Sequence, residues 1–399
     1  TGTVDWQTGS IKTTTFTAVN GEGYFVNTAG GAVTCNLPAG SAGAIVSVQD
    51  YNNTFDTYAL TISPNGSEKI NGGSASGILE LSTEGQGLTL VYVDSTVGWR
   101  AIEEQTYATK GSNAVYVVAS ATGCTGPGSG CIVDTDYKVH IFNGPGTLTV
   151  SCAGNACGSN KLDYMVVAGG GGGSGEFSGA GAGGFRESVP SPAAWTGSPL
   201  ANPGAGITAA VQAYPITVGG GGAANGTDGD DSVFATITST GGGGGGGGAG
   251  NTGGSGAGGA AEPAPANAGG AGNTPPTSPP QGQPGGDGAN CGGSGSRGGG
   301  GGGGATAAGG SGSPSSAGAG GAGATTCISG SPVARAGGGA GGEGPPQGTV
   351  PGGTGGGGNF PAGAGTCNTG GGGAGKGRPA GTGGNGGSGI VIIRYKFQN

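Results

Sequence analysis

The chain has 399 residues, of which 109 are glycine, against a usual share of about 7%. No strict Gly-X-Y period runs through it, which excludes a collagen triple helix. Charged residues are only 9%, the net charge is −8 and no Lys/Arg cluster occurs, which argues against nucleic-acid binding and sets the chain apart from charge-rich disordered sequences.

No apolar run of about 18 residues is present, so no segment is expected to insert in a membrane as a helix. The chain begins at Thr1 with neither Met nor an apolar leader, which suits a processed chain or a fragment of a longer one. Residues 1–104 read as an ordinary β domain. Runs at 14–19, 23–27, 45–49, 59–63, 88–93 and 98–102 are rich in Thr, Val, Tyr and Ile. Gly, Asn, Asp and Pro separate them at intervals of about 8–12 residues, the pattern of a sandwich or barrel-like fold. DSTVG at 94–98 reads as a hairpin turn between the last two, and no amphipathic helical stretch appears anywhere. Large apolar side chains are few for about one hundred residues, so self-association is expected. The runs VDWQTGSIKTTTFTAVNGEGYFVNTAGGAVTCNLP (4–38), IVSVQDYNNTFDTYALTISPNG (45–66) and LSTEGQGLTLVYVDSTVGW (81–99) resemble a β module of tail-fibre and other structural proteins of marine bacteriophages. That resemblance implies an extended, usually trimeric, virion appendage.

Residues 105–160 read as a β-rich connecting segment, with strands at 114–119, 137–142 and 147–152 and an NGPG turn at 143–146. Two close cysteine pairs, Cys124/Cys131 and Cys152/Cys157, sit in Gly-rich turns flanked by β-type runs. Each pair suits a hairpin-closing disulfide in an oxidising setting. The pairing of Cys35, Cys291, Cys327 and Cys367 is left open.

From residue 161 the chain changes character. The apolar run YMVVA (164–168) passes straight into five glycines; 214–218 runs into 219–222, and 232–240 into 241–248. The chain closes in reverse order, glycine leading into IVIIRY (390–395). A flexible linker has no reason to be joined repeatedly to buried strands. Ordered glycine loses much conformational freedom, and its compensation must come from the backbone: extended threefold helices hydrogen-bonded to neighbours on all sides. At a rise of ~3.1 Å per residue, 241–248 would span about 25 Å. The runs HIFNGPGTLTV, LDYMVVAGGGGG, AGGFRE, YPITVGGGG, DSVFATITSTGGGGGG and GGNGGSGIVIIRY resemble the glycine-rich terminal domain of phage fibres, which implies a receptor-binding tip of packed polyglycine helices.

Excursions at 190–203, 262–284, 311–316, 344–351 and 359–366 leave the glycine pattern and read as loops at the ends of the bundle. Trp195 and Phe360 are their aromatic residues and the candidates for receptor contact. Other motifs carry less. His140 is the single histidine and reads as a structural strand residue, which leaves almost no material for a His-bearing zinc site or a Ser-His-Asp triad. GGGGAGKG (370–377) lacks the Ser/Thr and the preceding strand of a phosphate-binding loop. Asp228, Asp230 and Asp231 read as turn formers before a calcium site. The carboxylate pairs Glu103/Glu104, Asp50/Asp56 and Glu80/Glu84 have nothing to fix a glycosidase spacing.

The expected fold is therefore all-β, essentially without α-helix: an N-terminal β-sandwich-like module (1–104), the connecting segment (105–160), and a small β-sheet anchoring a polyglycine II helix bundle (161–399). The resemblance implies a virion structural protein, a phage tail fibre or appendage outside the cell. Its implied partners are two further copies in a homotrimer, other virion proteins at the N-terminal end, and a host-surface glycan or outer-membrane protein. No catalytic residue, metal or cofactor is expected. The alternatives are a secreted glycine bundle that binds ice or another surface, and a polysaccharide depolymerase.

Overall fold

The structure is a computed structural model and describes residues 4–102, 113–262, 267–290, 297–345, 348–379 and 381–399. It is all-β, with no helix among the described residues. The chain divides into two compact units, Thr1–Val115 with Ala156–Gly158, and Tyr116–Asn155 with Ser159–Asn399. The segment expected as a connector is split: most of it lies in the second unit, where it supplies four strands.

The first unit is a two-sheet sandwich, as its alternating runs predict. One sheet is ordered Asp5–Trp6, Glu22–Val26, Ile45–Asp50, Gly87–Asp94, Gly98–Ala101; the other Phe16–Thr17, Val33–Asn36, Leu60–Ser63, Leu79–Leu81. The connectivity differs from a hairpin sandwich. Through Leu60–Ser63 the chain crosses from one sheet to the other at every strand and pairs parallel to its predecessor, so Phe16, Cys35 and Ile62 stack in register. The result is a flattened parallel coil, closed by antiparallel strands on both sheets. Period-two alternation places Val33, Cys35, Leu60 and Ile62 inside and their neighbours outside, but it carries no information on strand direction. The expected turn at 94–98 is present, with Asp94 Oδ1 accepting from the amides of Thr96 and Val97, both at 2.8 Å. Burial pushes the Cys35 thiol up to about 12, so it acts as a small apolar core residue.

In the second unit the last strand of the chain lies at the centre. Ile390–Lys396 pairs with Tyr137–Phe142 on one side and Lys161–Val167 on the other. The sheet extends through Phe185–Val189 and Ala201–Pro203. Residues Leu162 to Val167 and Ile390 to Tyr395 are buried without alternation because both faces are covered. Leu162, Tyr164, Val166, Val391, Ile393 and Tyr395 pack against a five-stranded sheet bearing Val117, Leu148, Val150, Tyr214 and Phe234. Met165, Val167, Ile390 and Ile392 face Trp195, Ile328 and alanines of the glycine region.

The glycine runs form a hydrogen-bonded lattice. Consider the segment that leaves Val167. Gly169 and Gly172 donate to Asp230 and Thr227, Gly170 and Gly173 to Gly387 and Gly384, Gly171 and Ser174 to Gly181 and Ser178, all at 2.8–3.0 Å. Residues three apart thus address the same neighbour, the signature of a threefold helix. Three other neighbours donate back: Gly242 and Gly245 to Gly169 and Gly172, Gly222 and Asn225 to Gly170 and Gly173, Gly373 and Lys376 to Gly171 and Ser174. One segment therefore has six neighbours. A Cβ on any of Gly169 to Gly173 would fall within 3.0 Å of a neighbouring backbone carbonyl. Glycine is required here by close approach. The run at 241–248 is shorter in the lattice than its length suggests. Residues 241–245 are buried, whereas 246–248 are not, and turn the chain back.

Candidate functional site

The two aromatics expected to meet a receptor are interior. Trp195 is 7% exposed; its ring covers the Arg394 guanidinium at 4.0 Å and meets Tyr137 edge-on at 5.7 Å. Arg394 has no exposed side-chain surface, and it donates to Asp134 at 2.6 Å and to the Ile328 carbonyl at 3.2 Å. A buried cation needs paired charge or a π face, and the loop at 190–203 folds down to supply one. Its backbone is pinned there by Ser198 N, which donates to Glu187 Oε2 at 2.9 Å. Asp163, in register with Arg394, accepts from Ser188 Oγ at 2.8 Å; burial raises its carboxyl to about 6. Phe360 is 1% exposed and packs on Ala317, Ala340, Val350 and Ala374. Both rings seal the bundle, and neither presents a face to a ligand.

The expected disulfides are likewise absent: no disulfide joins Cys124 to Cys131 or Cys152 to Cys157. The Cys124 thiol points toward the carbonyls of Ala121 and Pro127, and Cys131 opens an exposed strand opposite Val139. Cys35, Cys327 and Cys367 are also without a disulfide, and Cys291 lies outside the described residues.

The remaining motifs have structural places. His140 stacks on Tyr395 and shares a 3.2 Å hydrogen bond with its hydroxyl. Gly371 to Gly375 thread the lattice interior, so GGGGAGKG cradles backbone and not phosphate. Asp50 accepts from the amides of Asn52, Thr54, Phe55 and Gly85, which organises two turns. Asp56, Glu80 and Glu84 are exposed, and Glu103/Glu104 lies outside the described residues. No cluster of three metal-ligating side chains occurs among the described residues.

The aspartates at 228–231 do something the sequence reading missed. Asp228 Oδ1 accepts from Gly244 N at 2.7 Å and Asn251 Nδ2 at 2.8 Å; Asp231 Oδ1 accepts from Gly241 N at 2.8 Å. Gln281 Oε1 does the same for Thr240 N and Asp287 Oδ1 for Gly269 N, both at 2.9 Å. Where a lattice segment lacks a neighbouring backbone, a side-chain oxygen takes its place. The signal was available: these polar residues interrupt glycine runs where a turn places them beside a segment edge.

In the second unit, one candidate surface for contact with other molecules is the end of the lattice remote from the sheet. The segment at 169–173 travels about 15 Å from Val167 before the chain turns at 174–178. There it meets the turns at 224–226 and 246–250 and the residues 376–379 and 381. Glu176 N donates to Ser174 Oγ at 2.8 Å, Lys376 N to Ser174 O at 2.8 Å, Phe177 N to Lys376 O at 3.0 Å and Ser178 Oγ to Gly246 O at 2.8 Å. Glu262, from a further turn, pairs with both Arg297 and Arg378. The backbone here is strained. Phe177 holds φ at 80° with its ring buried, and Asn225 holds 73°. Asparagine tolerates this region, whereas for a bulky ring it costs on the order of 1–3 kcal/mol. Between these turns lies a cavity of about 370 Å³ lined by Ser174, Gly175, Glu176, Asn225, Gly245, Gly247 and Gly381. Its walls are largely bare backbone, with one carboxylate, one carboxamide and one hydroxyl. No predicted site residue lies in it.

Residues 142–396, well over half of the chain, match the family model described as a glycine-rich domain. No curated protein matches the chain.

Proposed function

The chain belongs to the glycine-rich domain family, and from that premise we propose that it is a structural adhesin, a phage tail fibre or appendage whose glycine lattice presents a receptor-binding tip. The observation that carries this reading is the convergence of polar turns, a strained Phe177 and a cavity at the one end of the lattice furthest from its anchoring sheet. A lattice without side chains has almost nothing to recognise along its length; recognition belongs to the loops that it holds rigidly.

The N-terminal unit is assigned to assembly as a homotrimer and to attachment to other virion proteins. Its stripe of exposed Trp6 and Tyr51 around the half-buried Phe25, with ring centroids at 5.0 and 6.5 Å, is the kind of surface that copies bury between them. The protein acts by binding, outside the cell, without cofactor or turnover. The test is adhesion of the labelled full chain to a panel of marine Gram-negative bacteria, alongside release of reducing sugar from their envelope polysaccharide. Saturable adhesion without sugar release is the expected result. Sugar release would favour a depolymerase, and absence of adhesion to every strain would remove the adhesin reading.

A further inference from the structure

We infer that the cavity at the tip of the lattice is a saccharide subsite, taking one or two neutral sugar units of a surface glycan; this rests on the adhesin reading. Its size comes first. About 370 Å³ lies at the small end of the range for ligand sites and is far larger than a bare ion requires. Its chemistry comes second. Among the described lining residues Glu176 alone is charged, and Asn225 contributes a carboxamide that both donates and accepts. The Gly381 carbonyl and Asn225 Oδ1 both lie toward Gly175, within 4 Å of where its Cβ would stand. Oxygen acceptors of this kind suit a ligand rich in hydroxyl donors. A carboxylate can take two adjacent hydroxyls at once.

The walls make the same selection. Gly175, Gly245, Gly247 and Gly381 leave flat peptide surfaces against which a pyranose ring can lie. They offer no apolar pocket of the sort that anchors an aromatic or arginine side chain of a protein partner. The pre-set turn geometry also reduces the ordering cost of binding. Ser174 Oγ is already engaged by Glu176 N and Ser178 Oγ by Gly246 O, so the turn that carries the carboxylate is fixed before a ligand arrives.

The arrangement supplies its own test. The three heavy atoms nearest to a Cβ on Gly247 all belong to the Glu176 carboxylate, at 2.0, 3.0 and 3.6 Å, whereas a Cβ on Gly248 would meet nothing within 4 Å. Gly247→Val thus intrudes on the cavity and meets the Glu176 side chain first; Glu176→Gln keeps the shape and removes the charge; Gly248→Ala is the control. Saturation-transfer NMR on the full chain would use glucose, galactose, mannose, N-acetylglucosamine and their β-linked disaccharides as probes, with calcium chloride alone titrated by calorimetry. At least one saccharide should bind, Gly247→Val should abolish the signal, Glu176→Gln should weaken it tenfold or more, and Gly248→Ala should leave it unchanged. The inference is overturned if no saccharide binds, if Gly247→Val binds as well as the parent, or if calcium alone binds and Glu176→Gln abolishes that. Cell adhesion separates the two levels. Adhesion kept by Gly247→Val retires the saccharide subsite and leaves the adhesin reading standing, whereas a parent chain that adheres to nothing removes that reading.

Discussion

At the scale of single residues the glycines divide into those that touch their neighbours and those that do not. A Cβ on Gly244 would fall within 3.0 Å of the Gly226 backbone, while Gly248 has open space. Gly244→Val must push two segments apart and strand several amides, at about 1–3 kcal/mol for each buried group left unpaired. We expect a loss of at least about 3 kcal/mol for Gly244→Val and under about 0.5 kcal/mol for Gly248→Ala, read by denaturant unfolding of the full chain. Equal effects would contradict the lattice. Titration offers a second check. Burial, with Lys138 nearby, pushes the His140 imidazole down from 6.5 to about 4. Below pH 6.5 the unfolded chain takes that proton first, so His140 drains stability progressively as pH falls to about 4, by about 3 kcal/mol in full. Asp163 runs the other way: its carboxyl is raised by burial from 3.8 to about 6, so its contribution is lost as pH rises through that window and returns on acidification. His140→Phe should therefore gain about 3 kcal/mol relative to the parent between pH 7 and pH 4, measured by urea unfolding at both. An unchanged difference would mean that His140 protonates freely in the fold. Residue roles were the least legible part of the sequence. Trp195 and Phe360 stand in Pro- and Ser-rich stretches that read as exposed, and nothing local announces that Arg394, 199 positions further on from Trp195, needs a ring over it.

At the scale of elements the sequence was most informative where backbone and side chains give the same signal. An apolar run joined to polyglycine marks a strand that continues as a lattice segment, and Tyr164–Val167, Tyr214–Thr217 and the final IVIIRY all behave that way. Direction was hidden. Val33–Asn36 and Leu60–Ser63 show the alternation of any half-buried strand, and only the structure reveals that they run parallel in a coil. The edge carboxylates were legible only in part: their place at the breaks in glycine runs is in the sequence, but an aspartate in a turn and an aspartate completing a lattice look alike in one dimension. They make a sharp prediction. Asp228→Ala strands the Gly244 amide and the Asn251 carboxamide, and should cost about 1–3 kcal/mol while deprotecting Gly244 in hydrogen exchange. Chelation of calcium should leave the parent's Tm unchanged; a fall in Tm on chelation would return these aspartates to metal binding.

At the scale of the whole molecule, two different solutions to stability occur in one chain. The first unit buries aliphatic and aromatic side chains around Trp99 and Phe55. The glycine lattice instead satisfies its backbone in all directions and needs side chains only at its margins. If the Trp6–Phe25–Tyr51 stripe is buried between copies, light scattering of the full chain should give the mass of three chains, and Trp6→Ser with Tyr51→Ser should shift it toward one; a parent that remains monomeric at micromolar concentration would contradict the assembly. The central claim, however, is that the glycine runs are a rigid lattice and not a tether. Hydrogen exchange of the full chain, resolved for the amides of Gly169 to Gly173, addresses it most directly. Each of those amides donates to a different backbone carbonyl inside the bundle, so protection should approach that of the Ile390–Lys396 strand and be lost only with global unfolding. Exchange at random-coil rates in those five residues, with the strand still protected, would contradict the account.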